Sequence, residues 1–223
     1  LVSVLVGTDQ EEVARLMSRY DLATLPVVDP QGMLVGVITI DDVVDVLEEE
    51  TTEDFQRFGG TEPLDRPYLD SSVLTVVRKR VGWLLLLFLT ETLTGSVLRH
   101  FEETMAAVVS LAFFIPLLIG TGGNAGSQTT STIIRALAVE DLDKRGLFKP
   151  LFHELAVGIV LGLVMGVVAY GRAMLWGTGQ AVAVTVAVSI ATIVIWANAL
   201  GSLLPIIAHR LKIDPTLVSG PAM

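Results

Sequence analysis

Long apolar segments fill the second part of this 223-residue chain. The segment 81–98 contains one charged residue, Glu91, and Thr104–Ile134 contains none. A predominantly apolar stretch of about 18 residues or more can cross a bilayer as a helix. The pattern predicts an α-helical polytopic membrane domain with four transmembrane helices and the start of a fifth, at 81–98, about 104–137, about 151–172, about 180–208 and from Pro215 onward.

The first 58 residues have the periodicity of a small α/β unit. DQEEVARLMSRY, from Asp9 to Tyr20, spaces its apolar residues at helical intervals. LPVVD and MLVGVITI are β-branched runs separated by a turn signal, which predicts two strands. Thr39 and Asp42 form a capping-box-like start for the helix DDVVDVLEEETTEDFQRF. Together with an initial strand, the predicted order is strand, helix, strand, strand, helix.

A connector joins this unit to the apolar segments. Residues 59–70 hold two Gly and two Pro with little periodicity, which predicts a linker. SSVLTVVRKR, residues 71–80, predicts a helix that runs directly into the first span. We therefore divide the chain into 1–58, 59–80 and 81–223, and we expect the last part to be truncated within the fifth helix.

Charge separates the same parts of the chain. Residues 1–70 carry 16 acidic and 4 basic residues, whereas residues 71–223 carry 8 acidic and 11 basic ones. An acidic head repels phosphates, so nucleic acid is excluded as a partner and cations are favoured. The chain has no cysteine, which excludes thiol metal sites, disulfides and cysteine catalysis.

Basic residues predict the orientation of the spans. With Arg78, Lys79 and Arg80 on the cytoplasmic side, nine of the eleven basic residues in 71–223 fall on that side, and two, Arg99 and Arg172, fall on the other. This bias predicts a multi-pass protein of the cell membrane whose N-terminal unit is cytoplasmic.

Eight carboxylates lie within fourteen residues of the last helix of the N-terminal unit, from Asp41 to Asp54. Residues three and four apart share one helix face, so these charges repel one another. A solvated helix face is one interpretation. A divalent cation site is the other, because Mg²⁺ binds through a few carboxylates and retained water.

GTGGNAGSQTTST, residues 120–132, is polar yet uncharged within the predicted second span. A phosphate loop is disfavoured because GK[ST] and a preceding soluble strand are absent. Helix packing through small residues is one interpretation. The other is an ion path lined by carbonyls and amides, with Pro116 and the glycines breaking or kinking the helix. Asn198, in WANALG, is open to the same two interpretations.

Two segments carry a resemblance to known families. LPVVDPQGMLVGVITIDDVVDVL resembles the second half of a pair of cystathionine-β-synthase (CBS) motifs. IPLLIGTGGNAGSQTTSTIIRALA and WANALGSLLPIIAHRLKIDPTLVSGP, combined with an acidic CBS head, are similar to MgtE-type magnesium transporters and channels. The resemblance covers essentially all 223 residues. It implies a small α/β CBS motif, a connecting plug helix at 71–80 and a five-helix pore domain.

The resemblance also implies a set of site residues. The pore contacts it implies are Gly123, Asn124, Ser127 and Gly220. Its regulatory Mg²⁺ ligands correspond to Glu11, Asp21, Asp42, Asp45, Glu50, Glu53 and Asp54. Glu154, at the start of helix three, corresponds to a residue near the plug and has a predicted gating role.

The same resemblance implies the ligands and partners. Mg²⁺ is expected both as the transported ion and as the regulator. ATP is expected as a further ligand if the CBS pair also senses nucleotide. The expected partners are membrane lipid, a second copy in a homodimer, and an N-terminal helical domain and first CBS motif of the same protein.

Two other functions are compatible with the same residues. One is a CBS-regulated transporter of another divalent cation, and the other is an adenine-nucleotide sensor that uses Gly36, Thr39 and Asp42. An enzyme is disfavoured because the spans contain no paired acids, no HExxH and no serine with a nearby base.

Overall fold

The structure is a computed structural model that describes residues 2–139, 146 and 148–217. The chain divides into two compact units, Leu1–Gln56 and Arg57–Met223. The fold class agrees with the sequence prediction, because a small α/β unit precedes a set of long apolar helices.

The first unit is a three-stranded sheet with two helices. In chain order, it contains β1 (Val4–Leu5), α1 (Gln10–Arg19), β2 (Thr24–Val28), β3 (Leu34–Thr39) and α2 (Ile40–Phe58), whose last two residues belong to the second unit. β2 is central, parallel to β1 and antiparallel to β3. Val13, Met17, Leu25 and Val43 are among the buried residues of the core of this first unit. Asp9 caps α1 by accepting a hydrogen bond from the backbone N–H of Glu11.

The second unit is almost entirely helical. Its helices are α3 (Val73–His100), α4 (Glu102–Ala107), α5 (Ile115–Val139), α6 (Phe148–Leu175) and α7 (Gln180–Arg210), with 3₁₀ turns at Tyr68–Asp70, Val109–Phe114 and Pro215–Leu217. Four stretches of the described residues are long and apolar enough to cross a membrane: Val73–His100, Val109–Ala138, Phe148–Leu175 and Gln180–Arg210. The predicted connection of residues 71–80 to the first span is confirmed, because α3 is one continuous helix.

The predicted second span is interrupted, but at a different place from the one expected. The chain leaves helical geometry at Val108, which has φ −135° and ψ 71°. Pro116 is the second residue of α5, where its missing N–H has no helical partner to lose. The glycines from 120 to 126 continue the helix without a break. The ion-path interpretation has Pro116 and the glycines break or kink the helix, and α5 shows no break at these residues.

Helices α6 and α7 pack closely through small residues. Gly158, Gly162 and Gly166 lie one turn apart on α6 and are all buried. A Cβ built on Gly162 would lie 2.7 Å from the carbonyl oxygen of Ala191 on α7. Small residues at this spacing let two helix backbones approach closely in a membrane protein. A turn with Gly177 and Gly179 at positive φ joins the two helices.

Candidate functional site

Helix α5, which carries the polar segment GTGGNAGSQTTST, has two distinct faces. Gly122, Gly126, Thr129 and Ile133 are buried and follow the spacing i, i+4, i+7 and i+11. The same spacing, displaced by two residues, describes a second stripe made of Gly120, Asn124, Ser127 and Ser131. A two-residue displacement rotates a stripe by about 200° around a helix. The two stripes therefore lie on opposite sides of α5, and we call the second one the open stripe.

The buried side of α5 packs against α7 at backbone distance. A Cβ on Gly122 would lie 2.6 Å from Cγ2 of Ile193, and a Cβ on Gly201 would lie 2.7 Å from the carbonyl oxygen of Gly126. The Thr130 hydroxyl donates a hydrogen bond of 3.2 Å to the carbonyl oxygen of Gly201. Close helix packing, one of the two interpretations of this segment, thus applies to its buried side.

The open stripe has the composition expected for an ion path. Asn124 is exposed, and so is Gln128 beside it. A Cβ built on Gly120 or Gly123 would meet no atom within 4 Å. Ser127 is half-buried. Of the four predicted pore residues, the structure brings Gly123, Asn124 and Ser127 to this side, and Gly220 lies outside the described residues.

A chain of polar side chains connects the buried side of α5 to α6 and α7. The Thr129 hydroxyl donates to Oδ1 of Asn198 at 2.6 Å, and Nδ2 of Asn198 donates to the carbonyl oxygen of Val194 at 2.8 Å. Oε2 of Glu154 lies 3.4 Å from the Thr129 hydroxyl, and 12% of its side chain is exposed. Buried polar groups require such partners to offset the loss of water.

This polar chain answers one question that the sequence left open. Asn198 makes an interhelical hydrogen bond, the first of its two interpretations. Glu154 contacts Thr129 on α5, and its predicted gating role stays a prediction. Sequence analysis did not single out Thr129. Its signal was the TTST run beside the glycines, which indicated polarity without indicating which hydroxyl faces inward.

The predicted regulatory acids are spread over the first unit. Glu11 pairs with Arg15, and Oε1 of Glu50 accepts a hydrogen bond from Nε2 of Gln10. Asp21 has a positive φ of 51° just after α1. Within the described ranges, no three His, Cys, Asp or Glu side chains are grouped so that they could hold a metal ion. Asp45, Glu53 and Asp54 lie on α2, and the whole ligand set stays a prediction.

Asp42 has a local structural role. Its Oδ2 accepts hydrogen bonds from the hydroxyl and the backbone N–H of Thr39, at 2.7 and 3.1 Å. The predicted capping of α2 is therefore confirmed. The hydroxyl bond of Thr39, followed by its backbone bond, lowers the pKa of Asp42. Gly36, the third residue of the nucleotide alternative, lies in β3 with open space at its Cβ position.

A second ion pair involves a residue that sequence analysis did not select. Nη1 of Arg57, in the last turn of α2, lies 2.5 Å from Oδ2 of Asp214. Asp214 follows α7 and precedes Pro215. The sequence Asp-Pro-Thr could have indicated the capping role of Asp214, because this triplet is typical of a helix start.

Four apolar helices with a buried polar chain define a polytopic membrane protein in which a small α/β unit precedes the helices. A family model described as MgtE, divalent cation transporter, matches residues 115–223, and a CBS domain model matches residues 1–49. The magnesium transporter MgtE of Thermus thermophilus is 45% identical over 221 residues, which are 99% of this chain and 49% of that protein. The chain is therefore similar to MgtE proteins over almost its whole length.

Two further relatives extend this similarity. The magnesium transporter MgtE of Bacillus subtilis is 36% identical over 213 residues, or 96% of this chain and 47% of its own length. That of Enterococcus faecalis is 31% identical over 221 residues, or 99% and 48%. The chain spans about half the length of the curated relatives it matches. These relatives are transporters, in agreement with the prediction that the chain is not an enzyme.

Proposed function

We propose that the protein containing this chain conducts Mg²⁺ across the cell membrane through a pore between two copies. The open stripe of α5 carries the proposal. Amides facing hydrocarbon without partners cost several kcal/mol each. Two copies related by a twofold axis can turn their stripes toward each other and line a water-filled path. The names of the three relatives support Mg²⁺ as the ion.

The chemistry of the stripe suits a hydrated ion. Mg²⁺ gives up its water reluctantly and retains several water molecules when it binds protein. Asn124 and Ser127 offer neutral oxygens that accept hydrogen bonds from such water, and Gly120 leaves space beside them. Gly220 is proposed to contribute from the fifth helix. The alternative is that the pore conducts another divalent cation, and selectivity measurements distinguish the two possibilities.

Flux measurements on the whole protein, reconstituted in liposomes containing a Mg²⁺-sensitive dye, test this proposal. We expect Mg²⁺ entry well above that of protein-free liposomes, and weaker signals when Ca²⁺ replaces Mg²⁺ outside dye-matched vesicles. A dye response that equals the protein-free background would exclude Mg²⁺ conduction. Flux of Mn²⁺ or Co²⁺ without Mg²⁺ would favour the other divalent cation.

We further propose that cytoplasmic Mg²⁺ closes the pore by binding at the acidic head. Repulsion among the α2 carboxylates favours their separation, and a bridging cation reverses that preference. A ligand shifts a conformational equilibrium only through its preference for one state. The proposed ligands come partly from outside this chain: the first CBS motif, the N-terminal helical domain and the second copy. Exposed apolar residues on β3, including Leu34, Val35 and Val37, support packing against such a motif.

Neutralising two of these acids tests the regulatory role. We expect the double variant Asp45→Asn, Glu53→Gln to need about tenfold more cytoplasmic Mg²⁺ for half-inhibition, equal to ~1.4 kcal/mol of lost binding. Patch recordings at graded cytoplasmic Mg²⁺ measure this quantity. The matched control is Asp41→Asn, Glu48→Gln, which removes the same charge from the same helix. Equal inhibition in both double variants and in the unmodified protein would contradict the role.

Nucleotide sensing is a second candidate, favoured by the position of Gly36, Thr39 and Asp42 at the junction of β3 and α2. Equilibrium dialysis with ATP, with and without Mg²⁺, separates it from Mg²⁺ sensing. Retained ATP that does not depend on Mg²⁺ would establish a nucleotide site.

A further inference from the structure

The Arg57–Asp214 ion pair joins two segments that are far apart in sequence. Arg57 is the first residue of the larger unit, and Asp214 lies in the segment after α7 of the same unit. Their side chains are 34% and 29% exposed, so the pair is partly shielded from water. Shielding distinguishes it from the surface ion pairs that contribute little to stability.

Both oxygens of Asp214 have partners. Oδ1 accepts hydrogen bonds from the backbone N–H and the hydroxyl of Thr216, at 2.9 and 2.7 Å, while Oδ2 accepts from Arg57. Burial raises the pKa of Asp214, but the bonds from Thr216 and the adjacent Arg57 guanidinium outweigh burial and lower it overall. The carboxylate is therefore ionised at neutral pH, and it caps the turn Pro215–Leu217.

The backbone around Arg57 is also held in place. The N–H of Gly60 donates to the carbonyl oxygen of Arg57 at 2.8 Å, and the N–H of Glu62 donates to that of Lys79 on α3 at 3.1 Å. Gly60 has φ +70°, and a Cβ there would lie 2.4 Å from the Trp83 indole. The end of α2, the linker and α3 thus converge at one junction. A cavity of about 400 Å³ at this junction is lined by residues of all three segments and by Leu217.

We propose that Arg57 is a positioning residue for the closing of the pore by cytoplasmic Mg²⁺, and that it acts through the Asp214 carboxylate. Arg57 holds the start of the segment that leads to the predicted pore residue Gly220. Arg57 lies near the end of α2, the helix that also carries the acids Asp45 and Glu53, and its ion pair with Asp214 is the proposed link between that helix and the segment after α7. This inference rests on the proposed regulation by cytoplasmic Mg²⁺.

Single and double variants of the Arg57–Asp214 pair test this proposal. We expect Arg57→Gln and Asp214→Asn each to raise the half-inhibiting Mg²⁺ concentration about fivefold, and their double variant to raise it no further, because each single variant already breaks the Arg57–Asp214 pair. Flux at very low Mg²⁺ should stay close to that of the unmodified protein. The charge exchange Arg57→Asp with Asp214→Arg, and the single variant Arg57→Lys, should restore part of the inhibition. Arg66→Gln, in the exposed linker, is the control.

Distinct failures lead to distinct conclusions. Additive effects in the double variant, or unchanged inhibition in both single variants, would overturn the positioning role while leaving the pore proposal intact. Absent Mg²⁺ inhibition in the unmodified protein would overturn the regulatory proposal instead. In that case, thermal unfolding tests the Arg57–Asp214 contact. A double variant with the melting temperature of either single variant supports the contact, and decreases in melting temperature that add in the double variant overturn it.

Discussion

Asn124→Leu should reduce Mg²⁺ flux about tenfold, corresponding to ~1.4 kcal/mol in the transport barrier, while leaving the amount of folded protein unchanged. Asn124 is exposed on the open stripe of α5 and sits one turn after Gly120. Leucine removes the amide that would bind the water around the ion, and it narrows the path at the same point. Folding should not change, because the buried stripe that packs on α7 is on the opposite side of the helix. Initial flux rates per reconstituted protein measure the effect.

A control on the same helix separates the pore from general damage. Thr132→Val removes a hydroxyl that already bonds to the carbonyl oxygen of Gln128, four residues earlier in α5. We expect flux within the scatter of the unmodified protein. Equal loss of flux in both variants would indicate a general disturbance of α5, and full flux in Asn124→Leu would remove this stripe from the ion path.

Gly162→Val should prevent stable packing of the membrane domain. Any Cβ at this position meets the backbone oxygen of Ala191 at 2.7 Å, and a backbone atom cannot move aside as a flexible side chain can. Overpacking of a core costs about 1–3 kcal/mol, and the branched valine adds two methyl groups to the clash. The expected result is a large fall in monodisperse protein after detergent extraction, together with a lower melting temperature.

Gly171 on the same helix is the matched control, because a Cβ there would meet no atom within 4 Å. Gly171→Val should leave both the yield and the melting temperature near those of the unmodified protein. A folded, monodisperse Gly162→Val variant with an unchanged melting temperature would disprove the close approach of α6 and α7.

The elements that sequence analysis predicted well have strong local signals. The continuous helix Val73–His100 follows from an uninterrupted run of helix-forming and apolar residues after the linker. The predicted spans at about 151–172 and about 180–208 correspond to α6 and α7, which are separated by a turn where Gly177 and Gly179 adopt positive φ at no steric cost. Thr39 and Asp42 marked the start of α2 because the capping pattern is local to four residues.

Features that depend on neighbouring helices were not predictable in the same way. Glycine lowers helix stability in water, yet Gly120 to Gly126 remain helical here, because membrane helices keep their backbone hydrogen bonds internally. Which glycine is packed and which is open depends on α7: Gly122 meets Ile193, whereas Gly123 meets nothing. The partner of Asn198 was equally hidden, since Thr129 lies 69 residues away.

The predicted metal ligands show a different limit. Glu11, Glu50 and Asp42 find single partners in Arg15, Gln10 and Thr39. A cation site built from several chain segments takes its ligands from residues far apart in sequence, and their convergence has no local signal. Composition alone therefore indicated an affinity for cations and did not indicate which carboxylates would share an ion.

The close contact of α6 with α7 has a mechanical consequence. At three successive turns of α6, a Cβ added to Gly158, Gly162 or Gly166 would lie 2.9, 2.7 or 3.0 Å from an atom of α7. Helices in such contact cannot slide or rotate separately without a clash, so we expect α6 and α7 to move as one rigid body. Conformational changes would then occur in the elements around this helix pair. In the pore proposed above, we expect opening and closing to move α3 and residues 211–217, while α6 and α7 stay fixed relative to each other.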